Sequence, residues 1–145
     1  MMDNLRIGSL MAVPYGNGKL ALCQVVWISN VINNCIGFIV LSTSYDDSDV
    51  ENNRALEIDL PVGKIVTIYA SIDNVFNGNW RLVGFSNVNN LDEYITHNIG
   101  GNLYKGDVFV RVLDKSEINN YRKVLNSGNK AVDLILCRFD EIYNK

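Results

Sequence analysis

A chain of 145 residues with 48% hydrophobic and 20% charged side chains is the size of one domain and apolar enough to bury a core without staples, which excludes a disordered or disulfide-scaffold protein. Its net charge of −3 argues against phosphate-backbone binding, which needs clustered Lys and Arg, so no direct nucleic-acid partner is expected. No segment approaches the ~20 apolar residues of a membrane helix.

The start, Met1-Met2-Asp3-Asn4-Leu5-Arg6, lacks the basic and apolar regions of a secretory signal, so a cytoplasmic location without membrane association is expected. Leu10–Val13 is a short apolar run closed by Pro14, and Leu20–Ile28 is a second, rich in Val, Leu, Trp and Ile. Between them Asn17-Gly18 is a strong hairpin signal, because such residues tolerate the positive φ of tight turns. Asparagines between Asn30 and Asn34 break the chain before a third strand, Ile36–Leu41, so a three-stranded meander opens the protein.

Ser44–Asn53 is polar and without periodicity, and reads as an exposed loop before the short segment Ala55–Leu60. From Ser44 to Asp59 one base faces six acids, a local net of −5, so the rest of the chain carries +2. Alternation over Lys64–Ile72 predicts a strand, and Asn77-Gly78-Asn79 followed by Trp80–Phe85 predicts a second hairpin. Leu91–His97 fits one helical turn, stopped at Gly100-Gly101. Leu103–Leu113 reads as a strand with Val108, Val110 and Val112 on one face and Phe109, Arg111 and Leu113 on the other.

The period then changes. Ser116 is a candidate N-cap for a helix through Tyr121 and Leu125, ended near Gly128. Val132, Ile135, Leu136, Phe139, Ile142 and Tyr143 recur at helical spacing, with a strand through Val132, Leu134 and Leu136 as the lesser alternative. The expected architecture is a single α+β domain over residues 1–145: a twisted antiparallel β-sheet, or a partly open barrel-like sheet, with C-terminal helices.

Chemistry-bearing residues are sparse. Cys23, Cys35 and Cys137 lie far apart among apolar neighbours and read as reduced, buried thiols. His97, the single histidine, sits between Thr96 and Asn98 and reads as a solvated side chain at a helix end. Asp46, Asp47, Asp49 and Glu51 superficially resemble a calcium loop but lack its turn glycine and bidentate glutamate, so a solvated or protein-binding loop is the better reading. Asp92-Glu93 and Asp140-Glu141 are adjacent pairs that diverge on a helix. The glycine clusters lack phosphate-loop spacing. No catalytic residue, metal site or cofactor is therefore assigned. Trp27 reads as core, whereas Trp80, directly after a turn, either packs inward or anchors a partner.

Gly8, the run Leu10–Val13 with Pro14 and Tyr15, then Gly18 and Val25, together with Trp80-Arg81-Leu82-Val83-Gly84, resemble the immunity protein 26 family over about residues 7–113. Tyr15 stands where that family usually has leucine. The resemblance implies a β-rich scaffold that neutralises a cognate secreted bacterial toxin by stoichiometric protein–protein binding, as in bacterial competition. An acidic surface would suit a toxin with a basic active site, such as a nuclease, which makes Asp46, Asp47, Asp49, Glu51 and Trp80 the candidate partner-binding residues. The alternative from another class is a non-catalytic adaptor or phage-encoded interaction module. An enzyme built on scattered acids is the weakest reading, because no acid, base and nucleophile converge.

Overall fold

The structure is a computed structural model that describes residues 5–43, 45, 67–125 and 128–143. Its architecture is α+β, with two sheets, both dominated by antiparallel pairing and neither closed into a barrel. The first sheet begins with the expected meander: β1 (Ser9–Tyr15), β2 (Lys19–Ile28) and β3 (Cys35–Ser42). Tyr15 pairs with Lys19 around a three-residue turn in which Gly16 and Gly18, not Asn17, take the positive φ. Pro14 lacks an N–H, yet β1 accommodates it because the next strand on that side pairs only with Ser9–Ala12. All eight residues of β3 are buried, as are Ala21–Trp27 of β2. Such continuous apolar runs mark strands covered on both faces. Within this core Gln24 is kept satisfied by donating its side-chain amide to the Ser86 carbonyl at 2.8 Å.

The second expected hairpin does not form. β4 (Ile68–Ser71) pairs with β3 at one edge, whereas β5 (Arg81–Phe85) pairs with β1 at the other, giving the order β4-β3-β2-β1-β5. The short helix α1 (Asp73–Phe76) and Trp80 carry the chain between the edges. Apolar anchoring overrides the turn signal here, because Val75 and Trp80 are buried and Trp80 packs edge-on against Phe38, with ring centroids 5.4 Å apart.

The second sheet follows α2 (Leu91–Ile95) and comprises β6 (Thr96–Ile99), β7 (Asn102–Lys105), β8 (Val108–Val112) and β9 (Arg122–Lys123), in the order β8-β7-β6-β9 with β9 parallel to β6. The single strand expected over Leu103–Leu113 is thus a hairpin. Gly106, with φ of +60°, occupies the first central position of its two-residue turn, where only glycine is unstrained. The helix expected from Ser116 is replaced by turns and β9. Glu117 is drawn back to Arg111 and to the Asp114 N–H, and Asn98 donates to the Ile118 carbonyl that a helix would have used. The C-terminal helix is present as α3 (Asn129–Tyr143), so one helix, not two, closes the described chain. Its buried Val132 and Leu136 face the core beside β1 and β4, and Asp133 accepts the Gly16 N–H at 2.6 Å, tying helix to hairpin.

Candidate protein-docking edge

Two polar joints, one buried and one half-buried, fix the second sheet to the first. His97, on β6, is fully buried, and its ring lies 4.4 Å from that of Trp27 on β2. Its Nε2 is 3.0 Å from the Gly106 carbonyl, which can only accept, so Nε2 carries the proton. Nδ1 is then the acceptor for the Tyr69 hydroxyl on β4, also at 3.0 Å. Burial holds the His97 pKa below its ordinary value, partly opposed by the Gly106 hydrogen bond and Asp107, and burial likewise raises that of Tyr69. The solvated histidine expected from the sequence is thus corrected: His97 and Asn98 are equally buried on β6, Asn98 being satisfied by the Ile118 carbonyl and the Gly101 N–H, so polar neighbours here mark a hydrogen-bonded strand and not an exposed helix end.

The second joint is Asp107, beside Gly106 in the β7–β8 turn. Its carboxylate accepts from Trp27 Nε1 at 3.2 Å, the Ser29 hydroxyl at 3.3 Å, and the backbone and side-chain nitrogens of Asn30 at 3.1 and 3.2 Å. The hairpin is therefore clamped at its tip, through the adjacent turn residues Gly106 and Asp107.

What these joints present is β8. It ends the order of the second sheet, and no other described strand pairs with its outer side. Val108, Phe109, Val110 and Val112 are 66%, 53%, 50% and 67% exposed, a run of apolar surface unlike the buried strands of the first sheet. The alternation expected here is broken by a bulge: Phe109 lies opposite Tyr104 and Arg111 opposite Leu103, leaving Val110 without a partner on β7. Counting from β7, Phe109 and Val112 share one face with Tyr104, and the Phe109 and Tyr104 rings meet edge-on at 5.7 Å. The Leu113 N–H donates to Gly101 at 3.0 Å, so the alternation of antiparallel pairs turns the backbone groups of Val112, and across the bulge those of Phe109, outward. Arg111 is held in a two-pronged ion pair by Glu117, with the longer contact at 2.9 Å, so the one charge on the strand is internally matched.

The sequence-derived candidates fall elsewhere. Asp46, Asp47, Asp49 and Glu51 lie outside the described residues. Trp80 is 4% exposed, so of its two readings the structure takes core packing, and it leaves the partner-binding set. The thiols of Cys23 and Cys35 are buried, and burial raises the Cys35 pKa to about 11 and that of Cys23 further, which keeps both protonated; Cys137 is half-buried, and all three are free. A cleft of about 360 Å³ between the sheets gathers Glu93, Tyr94, Tyr121 and Arg122, but burial and Glu93 push the Tyr94 phenol away from ionisation and Arg122 is engaged by the Thr67 carbonyl at 3.0 Å. The exposed edge β8 is a candidate that the sequence reading does not single out. Its signal was the composition Val-Phe-Val-Arg-Val beside Gly106-Asp107, a glycine-led turn that makes the second half of Leu103–Leu113 a separate strand.

No family model matches the chain, and neither a curated protein nor a solved structure matches it. None of the described helices is long and apolar enough to cross a membrane.

Proposed function

We propose that this chain is an immunity protein that binds and neutralises a cognate bacterial toxin in the cytoplasm, without catalysis of its own, and that β8 is its docking strand. The observation that carries protein binding is the exposed apolar edge with outward-facing backbone groups at Phe109 and Val112. An open edge of this kind is a template for an added strand from another protein: main-chain hydrogen bonds supply affinity and the flanking side chains supply selection. Monomeric proteins usually blunt such edges; β8 carries one bulge and one internally matched charge, yet keeps four exposed apolar side chains on a hairpin anchored at its turn, which argues for use.

The class of partner rests on the resemblance of the opening hairpin and the Trp80–Gly84 element to immunity protein 26. The acidic residues Asp46, Asp47, Asp49 and Glu51 supply a second, electrostatic contact that speeds encounter with a basic toxin surface, while β8 supplies the apolar contact. Co-expression with the product of the adjacent gene tests this reading. It predicts that the neighbour alone arrests growth, that this chain restores growth, and that the two elute as a one-to-one complex. A neighbour without toxicity, or a toxic one that this chain neither binds nor relieves, contradicts it.

A further inference from the structure

The order of residues on β8 fits the strand to a copy of itself. Because of the bulge at Val110, the residues with outward backbone groups are Phe109 and Val112, three apart in sequence but spanning only the two-residue step from Tyr104 to Asn102 on β7. An antiparallel second β8, related by a two-fold axis between Val110 and Arg111, sets Phe109 of one chain opposite Val112 of the other, and the axis repeats the pair. Both residues lie on the Tyr104 face, so the register aligns outward backbone groups and joins an aromatic to a β-branched side chain at once, a favourable cross-strand pairing. The bulge adds local twist, and the two-fold axis imposes the same twist on both copies.

Charge is compatible with this arrangement. The axis brings the two Arg111 side chains near one another, but each is held by its own Glu117, so the repulsion that would oppose self-pairing is largely offset. Lys105, at the other end of the hairpin, is similarly matched by Asp92 at 3.1 Å. Nothing on this edge calls for a partner of opposite charge. The surface asks for a neutral, apolar strand, which is what β8 itself offers.

We infer that the free protein forms a two-fold dimer through antiparallel pairing of β8 with β8, Phe109 against Val112. The inference rests on the reading of β8 as a docking edge and names how that edge is covered when no toxin is present. Two five-residue strands bury far less than the ~1,600 Å² of a standard stable interface. The dimer is therefore exchangeable, with a dissociation constant on the order of 10–100 µM, and a toxin making additional contacts displaces the second copy.

The test combines sedimentation with a register-specific crosslink. Sedimentation equilibrium of the full chain should pass from one-chain to two-chain mass as concentration rises, and Val112→Lys should raise the dissociation constant at least about a hundredfold, because the axis removes two contacts and adds two like charges. In a Cys137→Ser background, Phe109→Cys and Val112→Cys should form a disulfide dimer when mixed and oxidised, since directly opposed antiparallel residues have Cα atoms about 5.5 Å apart. Neither should crosslink when oxidised alone, where like residues lie further apart across the axis. Circular dichroism checks that each variant is folded. A chain that stays monomeric up to ~1 mM, well above the expected constant, overturns the inference, as does equal crosslinking in a single-variant sample. Growth rescue and toxin binding are read independently of these results. A monomer that binds its toxin sinks only the dimer, whereas a dimer with no toxin partner sinks only the proposed function.

Discussion

The Tyr69 hydroxyl donates to His97 Nδ1 at 3.0 Å and so links β4 of the first sheet to β6 of the second. Because the Gly106 carbonyl fixes the proton on Nε2, both ring nitrogens are satisfied only while the imidazole is neutral and Tyr69 is present. Tyr69→Phe leaves a buried acceptor empty and should destabilise the protein by about 1–3 kcal/mol. Urea denaturation followed by tryptophan fluorescence measures this, and an unchanged midpoint would show that the joint contributes nothing.

His97 also sets an acid limit. Its folded pKa lies below the unfolded value of about 6.5, so between the two the unfolded chain binds the extra proton. The contribution is fully present above about pH 6.5 and is lost as pH falls through the folded value. As the chain's only histidine, it should account for most of the fall in denaturation midpoint between pH 8 and pH 5.5, and His97→Gln should flatten that slope. A second, smaller effect comes from Glu117, whose carboxyl Arg111 holds at about 2. Its contribution is present above about pH 4.5 and is lost toward pH 2. Lying at the surface, this pair should fade in high salt.

Asp107→Ala removes one carboxylate that serves Trp27, Ser29 and Asn30 together. The expected loss is about 1–3 kcal/mol, with a shift in Trp27 emission as its indole N–H loses its partner. Faster amide exchange should appear in β8 and the β7–β8 turn before it appears in β1–β3, because the clamp joins the second sheet to the first. Uniform acceleration across both sheets would contradict this division.

On α3 the stripe can be tested by contrast. Leu136 is fully buried and Leu134 is exposed, so Leu136→Ala should cost about 2–5 kcal/mol and Leu134→Ala should fall within about 0.5 kcal/mol of the parent. Similar costs at both positions would place the helix in a different rotation.

The elements legible in sequence were those whose local signal agreed with their packing. β1–β3 are continuous apolar runs separated by glycine and asparagine turns, and Val132 and Leu136 repeat at the helical period, so each was anticipated. The failures share one cause: side chains spent on distant partners. Asn77-Gly78 looked like a hairpin until Trp80 was drawn onto Phe38, and Ser116 looked like a cap until Glu117 was drawn back to Arg111 and Asn98 took the Ile118 carbonyl. His97 carried no sequence signal of burial, since its partners Tyr69 and Gly106 lie 28 and 9 residues away. The exposure of β8 was equally hidden, because an apolar strand reads the same in a core as at an edge, and only the order of strands separates the two.

The most direct measurement is amide hydrogen exchange at Phe109 and Val112 in the dilute monomer and in the complex with the neighbouring gene's toxin. Their backbone groups face away from β7, so both amides should exchange rapidly in the monomer and become strongly protected when a toxin strand is added. A one-to-one complex in which these two amides remain as fast as in the monomer, with protection elsewhere, would contradict β8 as the docking strand.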